Sequence, residues 1–223
     1  MSRTALRRVL GAAAVAGPIA FTVAWVVAST SSPRHHPWRA DISALAAADA
    51  PRPWIIVIGE LLLAAGILAL AAGLAIALAG RDLAVAVGML TVAALAVAVQ
   101  ATAREDCDTG LADCAARQQA GLVSWHHSLH GQASALSFLT ILAAPVILAR
   151  PLRGNPRWHR LGTYSAVTAA VGLAILIAYV ATPDGWTGLT QRLFVSIPAT
   201  WTAVLGTQLI ATSGQTAVRT GGP

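Results

Sequence analysis

Three histidines, His126, His127 and His130, open a long apolar run, and the stretch before them from Arg104 holds Asp106, Asp108 and both cysteines of the chain. On a helix, residues four apart share a face, so His126 and His130 have the spacing that helical zinc sites use. An oxygen ligand from Asp106, or else from Asp108 or Glu60, would complete a three-ligand zinc site and leave a position for an activated water. The pattern H-H-x-x-H lacks the glutamate of H-E-x-x-H. Two other readings fit the same residues. Imidazole titrates near neutrality, so the cluster could move protons or hold a ligand without metal. Alternatively the histidines are structural, hydrogen-bonding Asp106, Asp108 and lipid headgroups. The three readings stay open at this level.

Glu60 and Arg192 are the other chemically suggestive pair, because each falls in or beside an otherwise uncharged run. A carboxylate at the centre of a membrane span costs ~2.5–3.5 kcal/mol on insertion scales, so Glu60 is expected to be paired, protonated or turned toward a polar cavity. One reading makes Glu60 and Arg192 an ion pair fastening the last span to the second. The other makes Arg192, assisted by Gln191, a clamp for an anionic headgroup, phosphate or carboxylate. No glycine-rich phosphate loop, serine-nucleophile elbow or kinase signature is present.

The elements that must position these residues are membrane helices. Only 11% of the 223 residues are charged and 56% are hydrophobic, whereas soluble domains are about 25% charged. Runs of ~20 uncharged residues are long enough to cross a bilayer as helices. Continuous Ala-, Leu- and Val-rich runs exclude the alternation of a membrane β-barrel. The reading is an all-α integral membrane bundle of six spans, at about 9–28, 54–79, 83–103, 127–149, 161–181 and 191–211, followed by a polar, disordered tail, 212–223. The first run is longer than the ~7–15 apolar residues of a signal peptide, so it is read as a retained span, kinked at Gly17-Pro18; Pro198 is expected to break the last. In the first loop, Asp41–Ala50 is expected to form a short interfacial helix between Trp38 and Trp54, which suit headgroup-level anchors.

Six spans put both termini on one side, with Arg3, Arg7, Arg8, Arg81, Arg150, Arg153, Arg157, Arg160 and Arg219. The other side carries Arg34, Arg39, Arg52, Arg104, Arg117 and Arg192. Excess arginine belongs in the cytoplasm, so the expected topology in the cell (plasma) membrane is N-in and C-in. The net charge of +6 flanks the spans and does not point to nucleic acid. Cys107 and Cys114 then share an outer loop, where a disulfide would persist. Gly59, Gly66, Gly73 and Gly80 recur every seven residues along the second span, a small-residue seam for packing within the chain or between copies. Under this topology Glu60, Gln100, Arg104, Asp106, Asp108, the His126–His130 group, Asp184 and Arg192 gather in the outer half. His127, His130, Ser134 and Ser137 share one helix face, with His126 on its flank. Glu60, Asp106, His126, His130 and Arg192 are expected to approach one another.

The order of several short pieces resembles a bacterial and archaeal membrane family catalogued as domain of unknown function 998. The pieces are Gly17-Pro18 in the first span, His36-Pro37 and Ile42-Ser43-Ala44-Leu45 in the first outer loop, Asp106, Asp108 and Gly110 before the His126, His127 and His130 helix, and Gln191-Arg192 opening the last span. The tryptophan of the HPWR stretch departs from a Gly-Tyr-like pair expected there. The resemblance implies a multi-span helical fold and a membrane location, and no reaction. Three function classes follow: a membrane protein of unassigned activity that packs or assists a partner, a metal-dependent hydrolase or other enzyme acting on lipid-like substrates, and a small transporter or ligand sensor. The lipid bilayer, a lipid or a small amphipathic ligand are the expected partners.

Overall fold

The computed structural model describes residues 1–33, 35–108, 111–182 and 185–219, with side chains to Ser213. Arg34, Gly110 and Asp184 lie outside the described residues. Within them the chain is all helix and loop, with no strand. The helices are α1 (Arg3–Thr30), α2 (Trp54–Ala77), α3 (Arg81–Thr102), α4 (Ala112–Gln119), α5 (Trp125–Arg153), α6 (His159–Ala181) and α7 (Thr187–Arg219). All but α4 are long and apolar enough to cross a membrane.

The helices run past the apolar stretches because polar caps, rather than the end of hydrophobicity, start them. Ser2 accepts the Ala5 N–H ahead of α1 and Ser124 the His127 N–H ahead of α5, each satisfying one of the donors a helix start leaves open. Gly80, at φ 128°, turns the chain between α2 and α3, in a region where glycine carries no steric penalty. Neither α1 at Pro18 nor α7 at Pro198 is broken, as membrane helices tolerate proline. Thr22 and Thr202 donate to the carbonyls of those prolines at 2.9 and 2.8 Å. The polar tail expected from Thr212 is helical as far as Arg219.

Each spanning helix touches two neighbours, closing a ring in the order α1, α2, α3, α5, α6, α7, and α2 reaches α7 across it. Call the end carrying Cys107 the loop end and the other the terminal end. The terminal half of the ring is filled: Leu70, Leu74, Leu90, Leu148, Leu152, Trp201, Leu205 and Leu209 have no exposed surface. Trp201 donates to Ser165 at 3.0 Å, meeting the need of a buried indole N–H.

The seven-residue glycine seam works inside the chain. A Cβ on Gly66 would lie 3.1 Å from the Gly17 Cα, one on Gly59 would strike Ala24, and one on Gly73 would strike Leu209. Three of its four glycines are therefore occupied by α1 and α7, and Gly80 sits at the turn.

The first loop also differs from expectation. In place of an interfacial helix over Asp41–Ala50 there is one 3-10 turn, Ser43–Ala46, whose Ala44, Leu45 and Ala46 are buried with Ala47. The SALAAA stretch is apolar, and it lowers into the loop end against Phe21, Ala28 and Ile56, because burial there removes more apolar surface from water than the interface would. Trp38, Trp54, Trp125 and Trp186 stand exposed around this end. Cys107 and Cys114 form a disulfide that ties α4 to the segment leaving α3.

Candidate functional site: an acidic cavity at the loop end

The polar residues of the loop half sort into three structures, only one of which encloses space. The first is a knot at the start of α5. Asp106 accepts from the Ser124 N–H at 2.5 Å and from the Ser124 hydroxyl at 2.7 Å, and these bonds hold its carboxyl below the usual range. The Asp106 N–H donates to His127 Nδ1 at 3.1 Å. His126 Nδ1 lies 2.8 Å from the Ser124 hydroxyl, 3.0 Å from the Arg104 carbonyl and 3.6 Å from Asp106. Asp106, His126 and His127 thus fasten the end of α3 to the start of α5.

The second is a clamp. Arg192 donates through Nη1 to the carbonyls of Pro37, Ala40 and Gly188 and through Nη2 to His35 Nε2, with Trp25 beneath it at 5.5 Å. His35 accepts in its neutral form; burial, with Arg192 beside it, pushes its pKa down to about 4. The guanidinium fork binds the first loop to α7. The expected Glu60–Arg192 ion pair does not form, because the backbone carbonyls and His35 occupy the arginine while Glu60 bonds elsewhere. Asp108 borders a separate hollow beside Ser32, His35 and Asp49.

The third structure is a cavity of about 450 Å³ in the middle of the ring, to which all six spanning helices and the first loop contribute. Gln100, near the end of α3, organises its floor. Its side-chain amide donates to Glu60 at 3.0 Å, its side-chain oxygen accepts from Ser137 at 3.3 Å, and its backbone carbonyl meets His130 Nδ1 at 2.9 Å. A carbonyl only accepts, so Nδ1 carries the hydrogen. Glu60 is 3% exposed and its Oε2 has no protein partner.

Glu105 enters from just beyond α3. Its carbonyl accepts from the Ala48 N–H at 2.8 Å, which pins it to the buried first loop, and Ser43 hydrogen-bonds its side chain. It is 8% exposed, and its Oε2 too lacks a protein partner. Burial pushes its pKa up to about 8, with the charges of Asp41, Asp108 and Glu60 acting in the same direction. Asp41 receives the Tyr179 hydroxyl on Oδ2 at 2.7 Å and leaves Oδ1 buried without a partner; burial raises its pKa as well. Among the described residues no lysine or arginine lines the cavity.

The cavity is open on one side. At the terminal half α5 and α6 are in close contact: a Cβ on Gly162 would lie 2.6 Å from the Ala149 carbonyl, and one on Gly172 2.6 Å from Leu142. At the loop half both helices line the cavity. Its wall there includes Gly131, Ala135 and Leu139 of α5 and Leu176 and Val180 of α6, with Leu139 62% and Val180 78% exposed on the outer surface. From Leu139 and Leu176 an apolar groove of about 650 Å³ continues along α5 and α6 to Arg150 and Arg153. A narrower shaft descends from Phe21, Glu60 and Phe138 to Thr202, above the filled core.

Of the residues singled out in the sequence, Glu60 and His130 line this cavity, while Asp106, His126 and His127 belong to the knot and Arg192 to the clamp. The zinc set His126, His130 and Asp106 is not assembled: His126 turns to Ser124 and Asp106, and His130 turns to Gln100. Among the described residues no three His, Cys, Asp or Glu side chains have the arrangement of a metal site. Sequence reasoning missed Glu105, Asp41 and Tyr179. Tyr179 carried a signal, a polar-tipped aromatic at the end of an apolar run; Glu105 carried none within the charged stretch REDCD.

The family model described as "Protein of unknown function (DUF998)" matches residues 15–208, and the chain belongs to that family. No curated protein and no solved structure matches it.

Proposed function

We propose that this DUF998 protein is a multi-pass membrane protein that binds an amphipathic molecule, with the polar head in the loop-end cavity and the hydrocarbon along α5 and α6. The observation that carries this reading is the side opening between Gly131, Ala135 and Leu139 on one helix and Leu176 and Val180 on the other. A polar cavity that opens through an apolar wall is accessible from the bilayer, and ligand sites between helices are usually apolar with a few convergent polar groups.

The loop end faces outward and both termini face the cytoplasm of the cell membrane in this reading. The arginine excess at the terminal end and the disulfide at the loop end support that orientation. A C-terminal reporter active only outside the membrane would overturn it. The packed leucines below Thr202 favour a binding or sensing role over a transport path. A metal-dependent hydrolase has little support, because its ligands do not converge.

The test is photolabelling in nanodiscs with an alkyl-diazirine amphiphile. Labelling is expected on the α5 segment 131–139 and the α6 segment 173–180, and to fall when Gly131→Trp fills the opening. A Cβ at Gly131 meets no atom within 4 Å, so the larger side chain has room to enter. Uniform labelling of all six helices, unaffected by Gly131→Trp, would reject the reading.

A further inference from the structure

We propose that the head of this amphiphile is a protonated amine, held by Asp41, Glu60 and Glu105. The inference rests on the amphiphile reading and adds the chemistry of the head.

Three elements, the first loop, α2 and the segment after α3, each bring one carboxylate to the cavity. Asp41 Oδ1, Glu60 Oε2 and Glu105 Oε2 are all buried without a protein hydrogen-bond partner, and Glu60 and Glu105 are more than nine-tenths buried. Acceptors left in that state cost free energy, about 1–3 kcal/mol for a neutral group and more for a charged one. Folding around them therefore points to a donor arriving from outside the chain. A primary ammonium supplies N–H donors and no acceptor, the complement of a wall of orphaned carboxylate oxygens. A phosphate or carboxylate head would bring a further negative charge to three buried acids, and among the described residues no lysine or arginine lines the wall to offset it; Arg192, close enough to act on Asp41, is taken up by backbone carbonyls and His35, so the lining favours a cation.

The rest of the lining agrees. Phe21, Phe138 and Tyr179 border the cavity, and aromatic faces attract cations. His130 gives its Nδ1 hydrogen to Gln100, so it adds no donor there that an anionic head could use. Metal cations are less well served, since among the described residues no three ligating side chains have the arrangement of a metal site.

The experiment uses the full chain in phosphatidylcholine nanodiscs and a diazirine-bearing dodecylamine, competed with dodecylamine, dodecanol, dodecyl phosphate, ethylamine or calcium. Dodecylamine is expected to compete at least tenfold better than dodecanol or dodecyl phosphate. Glu60→Gln/Glu105→Gln is expected to lower labelling at least tenfold, with circular dichroism and gel filtration confirming that it folds; the head-group series on the wild type decides the matter if it does not. Equal competition by all three dodecyl compounds would overturn the amine while leaving the amphiphile reading standing. Ethylamine as potent as dodecylamine would keep the ammonium and remove the tail. Calcium as the strongest competitor, or no saturable labelling, would overturn both. Adding phosphatidylethanolamine to the nanodiscs identifies the source: competition points to a bilayer lipid, its absence to a free amine.

Discussion

Tyr179 of α6 donates its hydroxyl to Oδ2 of Asp41 at 2.7 Å, joining the least buried of the spanning helices to the first loop at the rim of the acidic cavity. Removing that hydroxyl leaves Asp41 with both oxygens unpartnered, since Oδ1 already lacks a partner. Hydrogen bonds to charged groups contribute about 1.5–3 kcal/mol. Tyr179→Phe is expected to lower the midpoint of thermal unfolding in detergent by several degrees and to increase proteolysis of the first loop. An unchanged midpoint and unchanged cleavage would show that the bond is not holding α6.

Arg192 is expected to matter more, and for a reason unconnected with Glu60. Its guanidinium satisfies three backbone carbonyls and His35 at once. Lysine keeps the charge but has no planar fork to reach them together. Arg192→Lys should therefore destabilise the protein more than Tyr179→Phe, whereas Glu60→Gln should cost little, because its amide replaces only the carboxylate oxygens. If Arg192→Lys and Glu60→Gln instead lose stability equally, and the double variant loses no more than either one alone, the two residues act as a pair and the clamp is misassigned.

These contrasts show which parts of the molecule were readable in the chain. The spans were legible because a bilayer leaves only one solution for ~20 uncharged residues, and Glu60 stood out as a lone charge inside such a run. The function of Arg192 was not legible, since its partners are carbonyls of Pro37 and Ala40, which every residue possesses and no side-chain pattern reveals. His126 and His130 misled for a related reason. Four-residue spacing gives a shared helix face, but Ser124 and Asp106 at the helix start draw His126 away from the direction of His130. Glu105 was hidden among neighbours that face outward; only the descent of the first loop, with Ser43 above it, turns it into a buried acid.

The glycine seam gives a prediction that separates packing within the chain from packing between chains. Gly66 and Gly17 let α1 and α2 meet backbone to backbone, and a Cβ on Gly17 would lie 2.5 Å from the Leu62 carbonyl. Gly66→Val and Gly17→Val should each separate the two helices, a small-to-large change that costs ~1–3 kcal/mol or more in a packed interior. The expected result is a lower unfolding temperature with an unchanged mass in detergent. A stable variant whose oligomeric mass falls would assign the seam to an interface between copies.

The last prediction concerns pH and turns on the sign of one shift. Glu105 has an ordinary value of 4.5 and is raised by burial to about 8, so the native state holds a proton that the unfolded chain releases over that interval. Where the native state binds more protons, stability falls as pH rises. Its contribution is thus complete below about pH 4.5, declines between there and about pH 8, and declines no further above. Asp41, Asp108 and Glu60 face it as like charges, and Asp41, itself raised by burial, has the same sign. His35, lowered to about 4, has the opposite one, losing stability as pH falls below its ordinary 6.5. A wild-type profile alone mixes these groups, so the measurement is the difference in unfolding midpoint between Glu105→Gln and wild type. That difference should shift in favour of the variant from pH 5 to pH 8 by several degrees and then level off, because glutamine keeps a neutral side chain at every pH. A flat difference across this range would mean that Glu105 titrates as an ordinary surface carboxylate and does not lie in the cavity as described.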